Sequence, residues 1–287
     1  MTRPVLTLLC GIPGSGKTTY AEKMKNSYTY HLSSDSIRKE LYGDESIQEN
    51  PSDVFALMQD RAIMLLNNGF NVIYDATNIT RKDRASIIAK CPKVAQIECH
   101  IVWAPIETCI ERDATRERTV GKEVIDRMLK RFQAPYYDEG IDEIKVVLPD
   151  RFNTDAYEKE CMSKIQIPHD NPHHTLNILD HCKVAAIYAI NNKFDKDLKI
   201  AALYHDIGKS YVKSFIDNKG NLCETAHFYS HQCVGAWMAY GLMVDPFVVW
   251  LISVHMAPFL NEKYYKNLPP YLKNSVDLLH EADVHAH

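Results

Sequence analysis

Residues 11–18 read GIPGSGKT, and this stretch decides the fold of the first half of the chain. Its G-x-x-x-x-G-K-T spacing is typical of a loop that binds phosphate between a strand and a helix. An apolar run at 4–10 precedes it and a helical pattern at 17–24 follows it, so the elements occur in the required order. Small glycines let backbone N–H groups surround phosphate oxygens, and Lys17 supplies positive charge. The residues predicted to bind ATP and Mg²⁺ here are Gly14, Ser15, Gly16, Lys17, Thr18 and Thr19, with the Thr18 hydroxyl as metal ligand.

Strand and helix patterns alternate on either side of this loop. Strand patterns occur at 28–33, 71–75 and 97–104, and helical patterns occur at 53–68 and 80–90. Alternation of this kind predicts a parallel, doubly wound α/β sheet, that is, a P-loop kinase-like domain.

Acidic residues follow two of these strands. Asp35 comes after the strand at 28–33, and Asp75 ends the strand at 71–75. The carboxyl ends of parallel strands form the ligand-binding edge of such a sheet, so Asp35 can accept a proton there and Asp75 can order Mg²⁺ water or contact substrate. Arg38 lies one helical turn after Asp35 and can hold a substrate phosphate. The alternatives are that Asp35 is only a helix N-cap and Asp75 only a turn acid.

A highly charged segment spans residues 107–132. Arg112 and Arg116 lie one helical turn apart and can close over ATP phosphates as a lid, because phosphoryl transfer loads negative charge on the equatorial oxygens. The segment also contains many acids, so a solvated helix with paired charges is the alternative.

The composition changes along the chain of 287 residues. All eleven arginines fall within residues 1–151, and eleven of thirteen histidines fall after residue 168. This predicts two domains of different chemistry, at 1–152 and 153–287. The net charge of −4 provides no global attraction for nucleic acid. Eight isolated cysteines, no membrane-length apolar run and no room for a leader before the first strand predict a cytoplasmic protein without a membrane partner.

The second half combines apolar helical patterns with histidines and acids, which predicts an all-α bundle. His205-Asp206 ends a strongly apolar helix, and burial of two ionisable groups requires partners. A bound metal meets that requirement, since imidazole and carboxylate are both metal ligands. Other candidate ligands at helix-sized intervals are His181, His227, His231, His255, His280 and Asp283.

Four motifs of the first half resemble the phage-type polynucleotide 5′-kinase family over residues 3–148. They are GIPGSGKTT, SDSIR, DATN and ERDATR followed by VIxxM. The resemblance implies that Asp35 is the general base for a 5′-hydroxyl and that Arg38 holds the adjacent nucleotide phosphate. It also implies that Arg116 contacts ATP phosphates with Arg112 nearby. Related kinases that act on small molecules have similar outlines.

The second half, from about residue 165 to 287, resembles the HD phosphohydrolase superfamily through LDHCKVA, AALYHDIGK, HQCVGA, VH and EAD. The resemblance implies a first metal held by His181, His205, Asp206 and Asp283. It implies a second metal held by His231 and His255, with Asp206 bridging, and a phosphate contact from Lys209. Two divalent ions are expected, such as Mn²⁺, Fe²⁺, Ni²⁺, Co²⁺ or Zn²⁺. One alternative is that His227 takes the place of His231 as a ligand. Another is that the site has no activity and serves only for docking.

These resemblances lead to three hypotheses. The first is a bifunctional enzyme that heals nucleic-acid ends, with RNA favoured and DNA also considered. It would phosphorylate a 5′-hydroxyl with ATP and hydrolyse a 3′-phosphate or 2′,3′-cyclic phosphate. The second is a kinase for small molecules or nucleosides fused to a nucleotide phosphohydrolase. The third is an ATP-dependent switch whose HD domain senses a nucleotide.

Overall fold

The computed structural model describes residues 3–47, 50–172, 175–260 and 263–286. The chain forms two compact units, one of Met1–Met128 with Pro135–Asp150 and the other of Leu129–Ala134 with Arg151–His287. The domain boundary at residues 152 and 153 stays a prediction. Within the described ranges, every helix lacks either the length or the apolarity that a bilayer crossing requires.

The first unit is built on a five-stranded sheet with the order β2-β3-β1-β4-β5, in which every neighbouring pair is parallel. The strands are β1 (Val5–Cys10), β2 (Thr29–Ser33), β3 (Asn71–Asp75), β4 (Gln96–Val102) and β5 (Glu143–Val147). The helices between them are α1 (Lys17–Met24), α2 (Ser34–Tyr42), α3 (Pro51–Asn67), α4 (Arg81–Ile88), α5 (Ile106–Ala114) and α6 (Lys122–Leu129). The predicted α/β fold with a parallel sheet is confirmed.

The central strands of this sheet are more buried than its edge strands. β1 and β3 are buried along almost their whole length, as expected for parallel strands covered on both faces. The edge strands β2 and β5 are only partly buried. β5 was not predicted, because its alternating charged residues give no apolar run to detect. The carboxyl ends of β1, β2 and β3 lie at one edge, so the chain segments that follow them converge there.

A buried ion pair also stabilises the first unit. Arg84 on α4 is fully buried, and its Nε and Nη2 lie 2.8 and 2.7 Å from the two carboxylate oxygens of Glu139. Its Nη1 donates to the carbonyl of Asn78 at 2.9 Å. Three of the five N–H groups of this guanidinium therefore donate inside the protein, which offsets part of the cost of burying its charge.

The second unit is helical, as predicted, with one small addition. Its helices are α7 (Thr154–Lys164), α8 (Ile178–Asn191), α9 (Lys196–Tyr204), α10 (Lys209–Val212), α11 (His231–Tyr240), α12 (Pro246–Val254), α13 (Ala257–Leu260), α14 (Lys263–Lys266) and α15 (Pro270–Val284). An antiparallel hairpin of β6 (Ser214–Ile216) and β7 (Leu222–His227) lies before α11. The all-α prediction missed this hairpin because its large apolar side chains, Phe215, Ile216 and Leu222, are exposed and give no burial pattern.

Aromatic and backbone packing hold the second unit together. Phe132 packs edge-to-face on Trp237 and Tyr240 of α11, with ring centroids 5.5 and 6.1 Å apart. Gly208, just before α10, touches α11 backbone to backbone: a Cβ on Gly208 would lie 2.1 Å from the carbonyl oxygen of His231 and 2.5 Å from the nitrogen of Gly235. A side chain at Gly208 is therefore excluded, and the turn after α9 is fixed against α11.

Candidate active sites

The loop at residues 11–18 follows β1 and leads into α1, as predicted. The Lys17 ammonium donates to the carbonyls of Gly11 and Ile12 at 2.9 and 3.0 Å. Burial lowers the pKa of Lys17, and the opposing influence of Asp75 is smaller. The ammonium thus rests on the loop backbone, within reach of the space that the loop encloses. Gly16 caps the N-terminus of α1, and Thr19 is exposed on its first turn.

Two features of the loop fit a bound phosphate. Gly14 has a φ of +80°, and a Cβ at this position would lie 2.1 Å from the carbonyl oxygen of Cys109, so only glycine is accommodated. The Ser15 hydroxyl is buried and has no hydrogen-bond partner in the structure. A phosphate oxygen is the kind of partner that this donor lacks. The residues present therefore fit a nucleotide phosphate.

Asp75 at the end of β3 connects the loop to a histidine. Its Oδ2 accepts from the Thr18 hydroxyl at 3.2 Å and lies 3.0 Å from His31 Nε2 on β2. The other ring nitrogen of His31 lies 3.2 Å from Glu22 of α1. Hydroxyl and carboxylate oxygens are ligands that Mg²⁺ prefers, so Thr18 and Asp75 fit that ion. The sequence analysis missed His31, because only the parallel pairing of β2 with β3 brings it to Asp75.

Asp35 lies in the first turn of α2, and its carboxylate is half exposed. Its Oδ1 lies 2.8 Å from Nη1 of the buried Arg38, which confirms that these two side chains share a helix face. The N-cap alternative for Asp35 is wrong, because Ser33 is the N-cap and its hydroxyl accepts from the Asp35 N–H. Arg118 also approaches Asp35, with Nη1 at 3.7 Å from Oδ1 and 4.0 Å from Glu45. The sequence analysis gave Arg118 no role.

The two arginines predicted as a lid lie on different elements. Arg112 is in the last turn of α5 and donates to the carbonyl of Gly14 at 3.4 Å. The helix ends at Ala114, so Arg116 lies in the following loop and not one helical turn further on, as predicted. The buried carboxylate of Asp113 accepts from the N–H groups of Val120 and Gly121 and so holds the loop that contains Arg116. Arg116 remains close enough for its charge to lower the pKa of Lys17.

In the second unit, the predicted ligands form two buried groups that meet at Asp206. His181, His205 and Asp283 form one group, and His231 and His255 form the other with Asp206. Asp206 Oδ2 lies 3.3 and 3.5 Å from the Nε2 atoms of His205 and His181. Asp206 Oδ1 lies 3.1 and 3.8 Å from those of His231 and His255. One carboxylate therefore faces both groups, one oxygen to each.

The hydrogen bonds of the imidazoles leave every Nε2 facing inward. The Nδ1 atoms of His181, His205, His231 and His255 lie 2.8–3.1 Å from backbone carbonyls, which can only accept. Each Nδ1 therefore carries the proton, and in the neutral ring Nε2 keeps its lone pair. The Nε2 atoms then face each other in pairs, at 3.2 Å for His181 with His205 and 3.1 Å for His231 with His255. Two facing lone pairs repel each other, so each pair needs a proton or a metal ion between its nitrogens, and this donor set fits divalent metal ions.

The charges of the site agree with that requirement. Burial tends to raise the pKa of Asp206, but the charges of Lys209 and His205 outweigh it and hold that pKa well below its ordinary value. Burial likewise opposes ionisation of Asp283, but the charge of His205 and the close contact with His181 outweigh it and lower its pKa. Burial and the neighbouring imidazoles lower the pKa of His255 to about 3. Ionised carboxylates and a neutral His255 are states that bind metal. At His205 burial opposes the charged form, but Asp206 outweighs it and raises the pKa, so a bound metal would displace a proton there.

Three other candidates near the site behave differently. Cys182 lies close to His205 and Asp206, but burial raises its pKa to about 12, so it keeps its proton. His227 contacts the Tyr229 hydroxyl at 3.3 Å and belongs to neither group, so it does not replace His231. His280 packs edge-on against Phe259 instead, with ring centroids 4.2 Å apart.

Lys209 lies beside Asp206, with its Nζ 2.6 Å from Oδ2 in an ion pair that lacks hydrogen-bond geometry. The same ammonium lies 3.2 Å from Nε2 of His169, a buried histidine that the sequence analysis did not single out. His173 and His174, which follow His169 in the sequence, lie outside the described residues.

Two family models match this chain. Residues 6–135 match a model described as an AAA domain, and residues 173–284 match one described as an HD domain. No curated protein matches the chain. The predicted N-terminal P-loop kinase-like domain and C-terminal HD domain are thus confirmed.

Several solved structures are similar to parts of the chain. A chain of the structure titled Pnkp1/Rnl/Hen1 complex is 26% identical, over 42% of this chain and 44% of that one, with a TM-score of 0.36. A chain of the Pnkp1/Rnl/Hen1 RNA repair complex is 24% identical over 46% and 44%, with a TM-score of 0.42. A gluconokinase from Sinorhizobium meliloti 1021 is 16% identical over 53% and 86%, with a TM-score of 0.38. This chain spans less than half the length of the two repair-complex chains.

Proposed function

We propose that this chain heals nucleic-acid ends, RNA in preference to DNA. Its first unit would transfer the γ-phosphate of ATP to a 5′-hydroxyl, and its second would hydrolyse a 3′-phosphate or a 2′,3′-cyclic phosphate. The observation that carries the kinase half is the Asp35–Arg38 pair, with 2.8 Å between carboxylate and guanidinium, at the end of a strand that neighbours the one ending in Asp75. This pair provides a base and a phosphate contact one helical turn apart.

In the kinase half, each residue has a separate task. Asp35 accepts the proton of the attacking hydroxyl, and Arg38 binds the phosphate of the adjacent nucleotide. Lys17, with Arg112 and Arg116, compensates the negative charge that develops on the transferred group. Thr18 and Asp75 would hold Mg²⁺, which when bound neutralises the β- and γ-phosphate oxygens.

In the phosphohydrolase half, the support is the carboxylate of Asp206, which faces a group of ligands with each oxygen. The two groups would hold divalent ions, which when bound supply an activated water and charge neutralisation at phosphorus. Asp206 and the inward-facing imidazoles set the positions of these ions, while Lys209 binds a phosphate oxygen and orients the ester. Burial of all these side chains excludes bulk water and strengthens the electrostatic contacts.

The test uses radiolabelled ATP with a 5′-hydroxyl RNA, and a separate 3′-phosphate RNA, each with a matched DNA. Asp35→Asn should abolish transfer from ATP and leave 3′-phosphate hydrolysis intact, and Asp206→Asn should do the reverse. Phosphoryl transfer to no oligonucleotide by the unmodified protein refutes the kinase half. If either variant loses both activities, the assignment of Asp35 to phosphoryl transfer alone and of Asp206 to hydrolysis alone is refuted.

A second candidate is a kinase for small molecules or nucleosides joined to a nucleotide phosphohydrolase. The net charge of −4 favours it, because binding to a polymer of phosphates usually draws on a strongly basic surface. Competition separates the two candidates: excess nucleoside should inhibit labelling of an oligonucleotide only weakly if polymers are the true acceptor. Tight nucleotide binding by the second unit without turnover and without bound metal would instead favour a nucleotide-sensing switch.

A further inference from the structure

His169 is a buried histidine outside both groups of candidate metal ligands, and the proposed chemistry gives it no role. It lies in the segment before α8, and its ring packs edge-on against His181, with centroids 5.6 Å apart, and against Phe228 at 5.9 Å. Both of its ring nitrogens have polar contacts. These contacts define what the residue can do.

The hydrogen bonds of His169 fix its tautomer. Nδ1 lies 2.8 Å from the carbonyl oxygen of Leu176, which can only accept, so Nδ1 carries the proton. The Lys209 ammonium beside Nε2 excludes a second proton there, so the ring is neutral. Nε2 is therefore an acceptor, and it lies 3.2 Å from the Lys209 ammonium, which can only donate.

The backbone around His169 is held on both sides. Lys213 donates to the carbonyl of Pro168 and pairs with the Asp170 carboxylate at 2.6 Å. The carbonyl of Asp170, a residue with a φ of +50°, accepts from the N–H of Ala226 on β7. Such bracing positions a side chain more firmly than packing alone, and it costs strain at Asp170.

The contact from His169 constrains the ammonium of Lys209. Its side chain is almost fully buried, ion-paired to Asp206 and covered by the ring of Phe228, whose centroid is 5.4 Å from Nζ. A lysine ammonium on a flexible stem has three donors and no preferred direction. When His169 accepts one N–H of the Lys209 ammonium, the remaining N–H groups point in a defined direction next to the metal ligands.

We infer that His169 is a positioning residue: its Nε2 holds the Lys209 ammonium, which is also ion-paired to Asp206, so that a remaining N–H group meets a phosphate oxygen at the HD site. The inference rests on the proposed phosphohydrolase function and names the residue that orients its phosphate contact. His169 itself touches neither the phosphate nor the metals. Its loss is therefore expected to weaken phosphate binding while metal binding stays intact.

The test compares two amide variants in the full-length, metal-loaded protein. The amide of His169→Gln extends to the position of Nε2 and can accept from Lys209, whereas the shorter amide of His169→Asn corresponds to Nδ1 and cannot reach it. Inorganic phosphate is the probe, its affinity is measured by calorimetry, and metal content is measured by mass spectrometry. We expect His169→Gln to stay within about threefold of the unmodified protein and His169→Asn to lose about tenfold, which corresponds to 1.4 kcal/mol at one contact.

Several results would overturn the inference. They are equal phosphate affinity of the two variants, loss of metal from His169→Asn, or a further loss of affinity when His169→Asn is added to Lys209→Met. Failure of the unmodified protein to bind inorganic phosphate would overturn it as well. Binding of phosphate without hydrolysis of any 3′-phosphate end would refute the proposed function but leave the role of His169 supported, because binding needs no turnover.

Discussion

Replacement of Asp206 by asparagine should remove most of the stabilisation that divalent metal gives to the second unit. The Asp206 carboxylate faces both ligand groups, at 3.1 Å from His231 on one side and 3.3 Å from His205 on the other. Asparagine keeps the shape but takes away the negative charge and one acceptor oxygen. One group thus loses its ligand oxygen, and the other keeps only a neutral amide oxygen, which binds metal less well.

The magnitude follows from mass action. A ligand present at a thousand times its dissociation constant stabilises the folded state by about 4 kcal/mol. If the substitution weakens metal binding about a thousandfold, the same metal concentration contributes only about 0.4 kcal/mol. At about 3 °C for each kcal/mol in a unit of this size, metal should raise the Tm by about 12 °C in the unmodified protein and by about 1 °C in the variant.

Calorimetric melting with and without metal provides the assay, after treatment with a chelator. Asp180→Asn is the matched control, because Asp180 precedes the ligand His181 but its half-exposed carboxylate pairs with Lys183. The control should keep the full metal-dependent shift. A shift in Asp206→Asn equal to that of the control, or no shift in the unmodified protein, would refute the assignment of these residues as a metal site.

Three further predictions concern the first unit. Glu139→Gln should cost about 3 kcal/mol or more in urea unfolding, because it leaves Arg84 buried without a counter-charge, whereas Glu40→Gln in an exposed pair should cost less than about 1 kcal/mol. Arg118→Ala should raise the KM for the 5′-hydroxyl acceptor several-fold with little change in the KM for ATP, since Arg118 reaches the proposed base rather than the phosphate loop; an effect on ATP alone would contradict this. Gly14→Ala should abolish binding of a fluorescent ATP analogue, because its Cβ would lie 2.1 Å from a backbone carbonyl of α5, and retained affinity would show that the loop adapts.

The sequence predicted those parts of the fold that have a strong local signal. β1 and β3 are buried apolar runs, and the phosphate loop between β1 and α1 has its own spacing pattern. β5 and the β6–β7 hairpin have no such signal, because their pairing partners lie far along the chain or their apolar side chains face solvent. Tertiary pairing, rather than local pattern, makes these segments strands.

The residues of the candidate sites could likewise be predicted only where they lie in a recognisable sequence motif. The six predicted HD ligands could be named because the short motifs around them resemble a known superfamily, and the structure brings all six together. His31 and His169 could not be found in this way. Each acts only through a partner distant in sequence, Asp75 for one and Lys209 for the other, and neither lies in a spacing pattern that indicates chemistry.

The close contact of Gly208 with the backbone around His231 and Gly235 has a consequence for metal selectivity. Gly208 follows His205 and Asp206 by two to three residues, while His231 begins the opposing helix, so the gap between the ligand groups is set by main chain meeting main chain. Because this gap cannot widen through a change of side-chain rotamer, the site should prefer pairs of metal ions whose separation fits the gap. Larger ions should bind less well. Gly208→Ala would push the two ligand groups apart. It should change which divalent ions the site binds before it destabilises the fold.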